Sequence, residues 1–113
     1  MSEIKVASWN VNSVRARIDL ILKWIKTNNP DILLLQEIKA REEDFPYSAF
    51  ENLNYNIKIN GQKSYNGVAI FSKFPLSDIQ VNLPTFEDPQ ARYLEAWVDY
   101  KAVSYTHLRA HET

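Results

Sequence analysis

Three short polar segments hold the residues best suited to chemistry in this sequence: residues 8–13, 35–39 and 64–68. Each of them borders a run of apolar residues that is typical of a β-strand. The first two contain Asn10 and Glu37, whose amide and carboxylate oxygens are the hard ligands that Mg²⁺ takes from proteins. Their residue types therefore indicate a site for a divalent cation and a phosphate, provided that the fold brings the segments together.

The predicted elements do place the first two segments side by side. Residues 4–9 alternate and favour a strand, and residues 18–25 have apolar positions at helical spacing. Residues 31–37 carry four consecutive aliphatic residues, as in a strand that is buried on both faces. Such a βαβ unit pairs its strands in parallel, and their carboxyl ends meet at one edge of the sheet. We therefore expect Asn10 and Glu37 to lie within a few ångströms of each other.

The rest of the chain favours shorter, mostly antiparallel strands and one short helix near residues 47–53. Four further segments show strand patterns: residues 55–60, 67–72, 79–83 and 94–98. The first two of these predict a hairpin that is connected by residues 61–66. The fold class is therefore α/β, with a mixed sheet that starts as a βαβ unit and continues in mostly antiparallel strands.

Composition narrows the function classes only slightly. A length of 113 residues fits one domain. The absence of cysteine excludes disulfides, thiolate zinc sites and cysteine nucleophiles within this sequence, and it fits a cytoplasmic location. A net charge of -1 neither favours nor excludes nucleic acid as a partner. No apolar run reaches the ~18 residues of a membrane helix, and the start does not read as a secretory signal, so no membrane partner is expected.

Each candidate residue also has a structural explanation. A carboxylate after a buried strand, such as Glu37, is usually a solvated loop charge. Asn10 has the residue type of a turn or of a cap for the helix that follows. Lys39 and Arg92 could be ordinary surface cations. The three tryptophans sit in periodic apolar segments and are expected in the core rather than against nucleic-acid bases: Trp9, Trp24 and Trp97.

The sequence resembles exonuclease III and the related apurinic/apyrimidinic (AP) endonucleases of the endonuclease/exonuclease/phosphatase superfamily. Four ordered segments carry the resemblance: residues 4–17 (IKVASWNVNSVRAR), 30–39 (PDILLLQEIK), 62–72 (QKSYNGVAIFS) and 91–93 (ARY). The likeness extends to about Lys101. The dipeptides W-N and Q-E are each common, so the specificity comes from the order and spacing of all four segments.

This resemblance implies roles for individual residues. Glu37 would be the Mg²⁺ ligand, with Mn²⁺ as a possible substitute, and Asn10 would belong to the metal- and phosphate-binding cluster, so that both count as catalytic. Contacts to DNA or phosphate are implied for six residues: Asn12, Lys39, Tyr65, Asn66, Gly67 and Arg92. Lys39 would also support the carboxylate electrostatically. At Gly67 the missing side chain would allow close approach to the DNA backbone.

The resemblance further implies a fold and a reaction. The fold would be the amino-terminal part of a four-layered α/β sandwich. The reaction would be Mg²⁺-dependent phosphodiester hydrolysis, both at abasic sites and at 3′ ends of duplex DNA, carried out by a monomer when full-length. Relatives continue with Y-x-P-N, G-D-x-N and S-D-H segments that do not occur here. We therefore expect the 113-residue chain to be inactive by itself.

The chain is predicted to divide at residue 101. Residues 1–101 would be the amino-terminal portion of the family domain, and residues 102–113 (AVSYTHLRAHET) resemble a translated adapter and are expected to be non-native. His107 and His111 have the i, i+4 spacing of helical zinc ligands, but the glutamate of H-E-x-x-H is missing, so we reject a zinc site. Sequencing the coding locus beyond codon 101 tests this boundary.

Two other functions remain open at this point. One is a phosphatase or lipid phosphodiesterase of the same superfamily, although residues 8–17 and 64–68 favour the DNA enzymes. The other is a non-catalytic half-domain that binds DNA or a protein partner. The second alternative predicts DNA binding that survives Glu37→Ala and needs no Mg²⁺.

Overall fold

The described part of the chain begins with the predicted βαβ unit. A computed structural model describes residues 4–61, 66–80, 93–100 and 104–111. Strand β1 spans Val6–Asn10, helix α1 spans Ile18–Asn28 and strand β2 spans Ile32–Gln36. β1 and β2 pair in parallel, with the last residue of β1 opposite the last residue of β2. The parallel pairing is confirmed, and both strands end at the same edge of the sheet.

Helix α1 is amphipathic, as its apolar spacing predicts, and ends at Asn28. Ile21 and Ile25, one turn apart, are its buried residues. Asn29 ends the helix in a left-handed conformation (φ 46°), and its N–H bonds the Ile25 carbonyl at 2.7 Å. The start of the helix differs from one alternative above. Arg17 directly precedes α1, and no side chain caps the helix. The interpretation of Asn10 as a helix cap is therefore wrong.

Two more strands complete the first sheet, and three form a second sheet. β3 and β4 form the predicted hairpin and extend the sheet in the order β1-β2-β4-β3. The further elements have these bounds: a 3-10 turn Glu42–Asp44, α2 Tyr47–Phe50, a 3-10 turn Glu51–Leu53, β3 Asn56–Asn60, β4 Val68–Ser72, β5 Leu76–Gln80, β6 Tyr93–Tyr100 and β7 Ser104–His111. Strands β5, β6 and β7 pair antiparallel. The mixed α/β fold is therefore confirmed.

One predicted strand is misplaced. The edge strand expected at residues 79–83 begins at Leu76, and residues 81–83 lie outside the described part of the chain. The register of β5 against β6 shifts between Ser77 and Gln80. Such an irregularity breaks the period-two alternation on which the prediction depended.

The first sheet has a buried apolar cluster on each of its faces. On the helical face, Phe50 and Phe71 are fully buried and their rings meet edge to face at 4.8 Å. Trp9 and Trp24 pack against this cluster with ring centroids 5.6 Å apart, as expected of core tryptophans. On the opposite face Ile32, Val68 and Ile70 are fully buried. Strand β6 contacts β4, and β7 contacts β2 and β4, so the second sheet lies against this face.

Residues 104–111 form a strand within the fold. β7 pairs with β6 along its length, from Tyr100 opposite Ser104 to Tyr93 opposite His111. His107 and His111 therefore lie on a strand and not on a helix, which removes the helical spacing of a zinc pair. Strand pairing does not test where this segment came from, so the boundary at residue 101 stays a prediction.

No helix among the described residues is both long enough and apolar enough to cross a membrane.

Tyr55 gives the helical face of the core a pH-dependent contact. Its hydroxyl donates to the Pro30 carbonyl at 2.5 Å, and burial, aided by the charge of Asp31, raises the pKa of Tyr55. The folded state therefore holds this proton more tightly than the unfolded chain. The resulting stabilisation is complete below the unfolded pKa of about 10 and is lost as the pH rises through the folded pKa.

We expect Tyr55→Phe to lower the free energy of unfolding at neutral pH by about 0.5–1.5 kcal/mol, because one hydrogen bond is lost. It should also flatten the loss of stability above about pH 10. Urea unfolding between neutral and alkaline pH measures both effects. An alkaline limb of unchanged slope in the variant would contradict the assignment.

Candidate phosphate and metal site

The two residues predicted to meet at the end of the parallel strands do meet. Asn10 is the last residue of β1, and Glu37 directly follows β2. The side-chain Nδ2 of Asn10 donates a hydrogen bond to Oε2 of Glu37. The contact arises because the parallel register sets Asn10 opposite Gln36, so the residue after Gln36 lies at the same edge.

Lys39 and Asn12 close a ring of contacts around the Glu37 carboxylate. Lys39 Nζ lies 3.9 Å from Oε1 of Glu37 and donates to Oδ1 of Asn12 at 2.5 Å. The backbone N–H of Asn12 donates in turn to Oδ1 of Asn10 at 3.1 Å. Four of the residues implied by the resemblance therefore form one network. Asn10 makes an Asx turn with Asn12 in place of the helix cap considered above.

The backbone of this edge is held in conformations that side chains rarely adopt. Six residues have positive φ: Asn12 (47°), Ser13 (87°), Glu37 (52°), Lys39 (53°), Asn66 (57°) and Gly67 (96°). A non-glycine residue in this region costs free energy, and such residues persist only where surrounding contacts over-determine them. Their concentration at one edge of the sheet is typical of a functional site.

Backbone hydrogen bonds between the three loops supply those contacts. Four of them cross between loops: Ser13 N–H to Glu37 O (2.8 Å), Val14 N–H to Ile38 O (3.0 Å), Ile38 N–H to Gly67 O (3.1 Å) and Lys39 N–H to Asn66 O (2.9 Å). The loop at residues 37–39 is therefore bonded to a neighbour on each side. This arrangement fixes the position of the Glu37 carboxylate through the main chain as well as through side chains.

Two polar residues near the site were not singled out from the sequence. Gln36 Nε2 donates to Oγ of Ser8 at 2.9 Å. Ser8 and Asn10 have the same parity in β1, and Gln36 lies opposite Asn10, so all three side chains share one face of the sheet. Strand parity was the signal that could have found them. They make the site end of this face polar, while its other end holds the buried Ile32.

The structure describes some of the residues that are predicted to contact DNA but not all of them. Asn66 and Gly67 lie beside Ile38 and Lys39, as the bonds above show. Tyr65 and Arg92 lie outside the described part of the chain. Gly67 is buried, and a Cβ there would lie 2.6 Å from Cγ1 of Ile38. Close packing on Ile38 and a positive φ therefore explain this glycine without any DNA contact.

Gly67→Ala is expected to lower the free energy of unfolding by about 1–3 kcal/mol, because alanine meets both a strained φ and the Ile38 side chain. Ile38 must then shift, and its N–H bond to the Gly67 carbonyl should weaken. Urea unfolding measures the stability, and amide hydrogen exchange at Ile38 and Lys39 reports the local change. Unchanged stability and exchange would show that the loop accommodates a side chain.

Arg41 does not add a free cation to this edge. Its Nε donates to Oδ2 of Asp44 at 2.8 Å, and a terminal nitrogen lies 3.8 Å from Glu43. The hydrogen bond to Asp44, followed by the charges of Asp44 and Glu43, raises the pKa of Arg41. Its guanidinium is therefore paired with acids of the 3-10 turn Glu42–Asp44, which directly follows it.

The donor set fits a cation held by one carboxylate. Glu37 keeps 38% of its side chain exposed, which leaves room for an ion beside it. Asn10 turns its Nδ2 toward Glu37, and its Oδ1 accepts from Asn12, so in this arrangement Asn10 orients the carboxylate. The described residues contain no group of three or more His, Cys, Asp or Glu that could form a cage. Mg²⁺ suits such a site, because it keeps several waters and shares its shell with substrate phosphates.

Comparisons with known proteins agree with this geometry. Residues 7–112 match the profile of the Endonuclease/Exonuclease/phosphatase family. Exodeoxyribonuclease III of Haemophilus influenzae is 40% identical over 94 residues, which cover 82% of this chain and 35% of that protein. Among curated relatives, the chain spans 25% to 35% of the length of those it matches.

Solved structures show the same fold in longer proteins. The 3′ phosphatase NExo from Neisseria, bound to product DNA hairpin, has 39% identity and a TM-score of 0.81, with 85% of this chain and 38% of that chain covered. An AP endonuclease from Archaeoglobus fulgidus has 35% identity and a TM-score of 0.80, with 85% and 37% covered.

Proposed function

Because this chain belongs to the Endonuclease/Exonuclease/phosphatase family, we propose that it is part of an exodeoxyribonuclease III-type DNA-repair nuclease. The reaction is Mg²⁺-dependent hydrolysis of phosphodiesters at abasic sites and at 3′ ends of duplex DNA. The resemblance read from four sequence segments is confirmed at the level of the family by the match to residues 7–112. The finer activity is supported by the names of relatives that are 35% to 40% identical.

The contact between Asn10 and Glu37 carries this proposal. It sets a half-exposed carboxylate at the carboxyl end of two parallel strands, where α/β sheets bind their ligands. Glu37 would hold Mg²⁺, which neutralises charge that develops on the phosphate oxygens when it is bound. Asn10 holds the carboxylate in orientation. The same oxygen ligands also suit Mn²⁺.

Contacts to the DNA backbone are proposed for six residues: Asn12, Lys39, Tyr65, Asn66, Gly67 and Arg92. Asn12 and Lys39 are supported by their place in the network around Glu37. Asn66 and Gly67 are supported by their hydrogen bonds to the Glu37 loop. At Gly67 the contact would come from the main chain, since the α-carbon faces Ile38.

The 113-residue chain is proposed to lack activity by itself. Phosphodiester hydrolysis needs a base and an acid in addition to a metal ligand. Within the described part of the chain, the contacts given above around Glu37 join one carboxylate, one lysine and two amides. The remaining groups would come from the part of the family fold that relatives have and this chain does not span.

A cleavage assay tests both statements. An abasic-site duplex is incubated with the 113-residue chain and with its extended reading frame, in Mg²⁺ or in chelator. We expect cleavage only by the extended form and only with Mg²⁺. Cleavage by the 113-residue chain would overturn the account of the missing groups, and cleavage in chelator would overturn the metal requirement.

Removal of a 3′ phosphate is a second candidate activity, favoured by the likeness to a structure described as a 3′ phosphatase. The same residues would bind a terminal phosphate in place of an internal one. A duplex that ends in a 3′ phosphate, assayed beside the abasic duplex, separates the two. Release of inorganic phosphate without strand cleavage would favour the phosphatase.

A further inference from the structure

Lys39 occupies an unusual position in the site. Its ammonium lies between the Asn12 amide oxygen, at 2.5 Å, and the Glu37 carboxylate, at 3.9 Å. Asn12 is neutral and supplies no opposite charge, so Glu37 is the acidic partner that the structure gives Lys39. The backbone of Lys39 is fixed at φ 53° by the bond of its N–H to Asn66. The side chain is only 29% exposed, which limits how far the ammonium can move away.

We propose that Lys39 is a positioning residue that sets the cation affinity of this site by acting as a resident counter-ion of Glu37. The inference depends on the proposed role of Glu37 as a metal ligand. Without a metal, the ammonium offsets the carboxylate charge and, through Asn12, ties it to the β1 loop. When a divalent cation binds Glu37, the ammonium becomes a like charge at close range and opposes binding.

The two effects of Lys39 have opposite signs, and the geometry decides which is larger for affinity. Orientation of the carboxylate is already secured by Asn10 and by the main-chain bond from Ser13 to Glu37 at 2.8 Å. Removing Lys39 should therefore leave the carboxylate in place. The repulsion between the Lys39 ammonium and a bound cation comes from Lys39 itself, so it disappears when the lysine charge is removed. Neutral replacement of Lys39 is thus expected to tighten cation binding.

This sign distinguishes the proposal from a purely supporting role. A lysine that only held the site together would weaken binding when replaced, because the ligand would become less ordered. A lysine that competes with the cation strengthens binding when replaced. Arginine keeps the charge and should behave like lysine, whereas methionine and glutamine remove it at similar length.

The test measures binding of Mn²⁺ alone, at low ionic strength, from the electron paramagnetic resonance signal of the free ion. The 113-residue chain is compared with Lys39→Met, Lys39→Gln, Lys39→Arg and Glu37→Gln. Lys23→Met is the matched control, because it removes one lysine charge from the exposed surface of α1. Melting of each variant is followed in parallel to establish that it is folded.

We expect Lys39→Met and Lys39→Gln to lower the Kd for Mn²⁺ about three- to tenfold, the size of a partly exposed charge interaction with a divalent ion. Lys39→Arg keeps the charge and should have a Kd for Mn²⁺ close to that of the wild type. Lys23→Met should not change the Kd. Lys39→Gln keeps a donor for Asn12 and decides the comparison if Lys39→Met does not fold.

The failures of the two proposals are distinguishable. If wild-type binding is abolished by Glu37→Gln while the neutral Lys39 variants bind Mn²⁺ equally or more weakly, the role of Lys39 is overturned and that of Glu37 stands. If no variant shows binding that depends on Glu37, the metal-ligand role itself is overturned.

Discussion

Replacing Glu37 with glutamine is expected to reduce Mg²⁺-dependent cleavage of an abasic-site duplex by the extended form at least about hundredfold, because a neutral amide is a poor ligand for a hard cation. Glutamine has the same shape and retains an oxygen that accepts from Asn10. The loop geometry should survive, since it depends on main-chain bonds such as Ser13 to Glu37 at 2.8 Å. The loss should therefore appear in kcat/KM with little change in thermal stability.

Glu51→Gln is the matched control for this experiment. Glu51 is exposed in the 3-10 turn Glu51–Leu53, away from the network around Glu37. The Glu51→Gln variant loses the same charge as Glu37→Gln but at a position outside this network, so its activity should equal that of the wild type. If Glu37→Gln retains activity close to that of Glu51→Gln, the carboxylate is not the ligand that the reaction requires.

Phe71→Ala is expected to cost about 3–5 kcal/mol of stability, the range for a large aromatic residue in a core. Phe71 is fully buried in the central strand β4. Its ring centroid lies 4.8 Å from that of Phe50, 5.9 Å from that of Tyr55 and 6.1 Å from that of Phe45, so truncation removes contacts to three aromatic rings at once. Total stabilities of domains are about 5–15 kcal/mol, so this loss is a large fraction of the total.

Urea unfolding followed by tryptophan fluorescence measures this change. Leu20→Ala is the control, because Leu20 is 54% exposed on α1 and should shift the free energy of unfolding by about 0.5 kcal/mol or less. A loss for Phe71→Ala no larger than that of the control would mean that the aromatic cluster does not hold the helical face of the sheet.

The sequence was sufficient for the βαβ unit and for the meeting of Asn10 with Glu37. Both follow from strong periodicities, since four aliphatics mark β2 and Ile21 and Ile25 mark the buried side of α1. Parallel strands then bring their carboxyl ends together whatever the side chains are. This part of the site is a consequence of topology.

Other features could not be derived from pattern. The positive φ of Glu37 and Lys39 contradicts their residue types and exists because bonds from neighbouring loops impose it. Asn10 serves a turn or a helix cap equally well by type, and only the late start of α1 at Ile18 decides. The start of β5 was missed because a register shift breaks its alternation.

The loop bonds at the site have a consequence for synthesis of the protein. Among the described residues, the hydrogen bonds given above for the edge around Glu37 join residues numbered 67 or lower. A nascent chain leaves the ribosome amino-terminal part first, so the residues that shape this edge emerge before most of a relative's length has been translated. During that interval β1 is the outermost strand of its described sheet, with Val6 52% exposed. The growing chain thus presents the Glu37 loop beside an open strand edge, and chaperones on the ribosome would have reason to shield that edge.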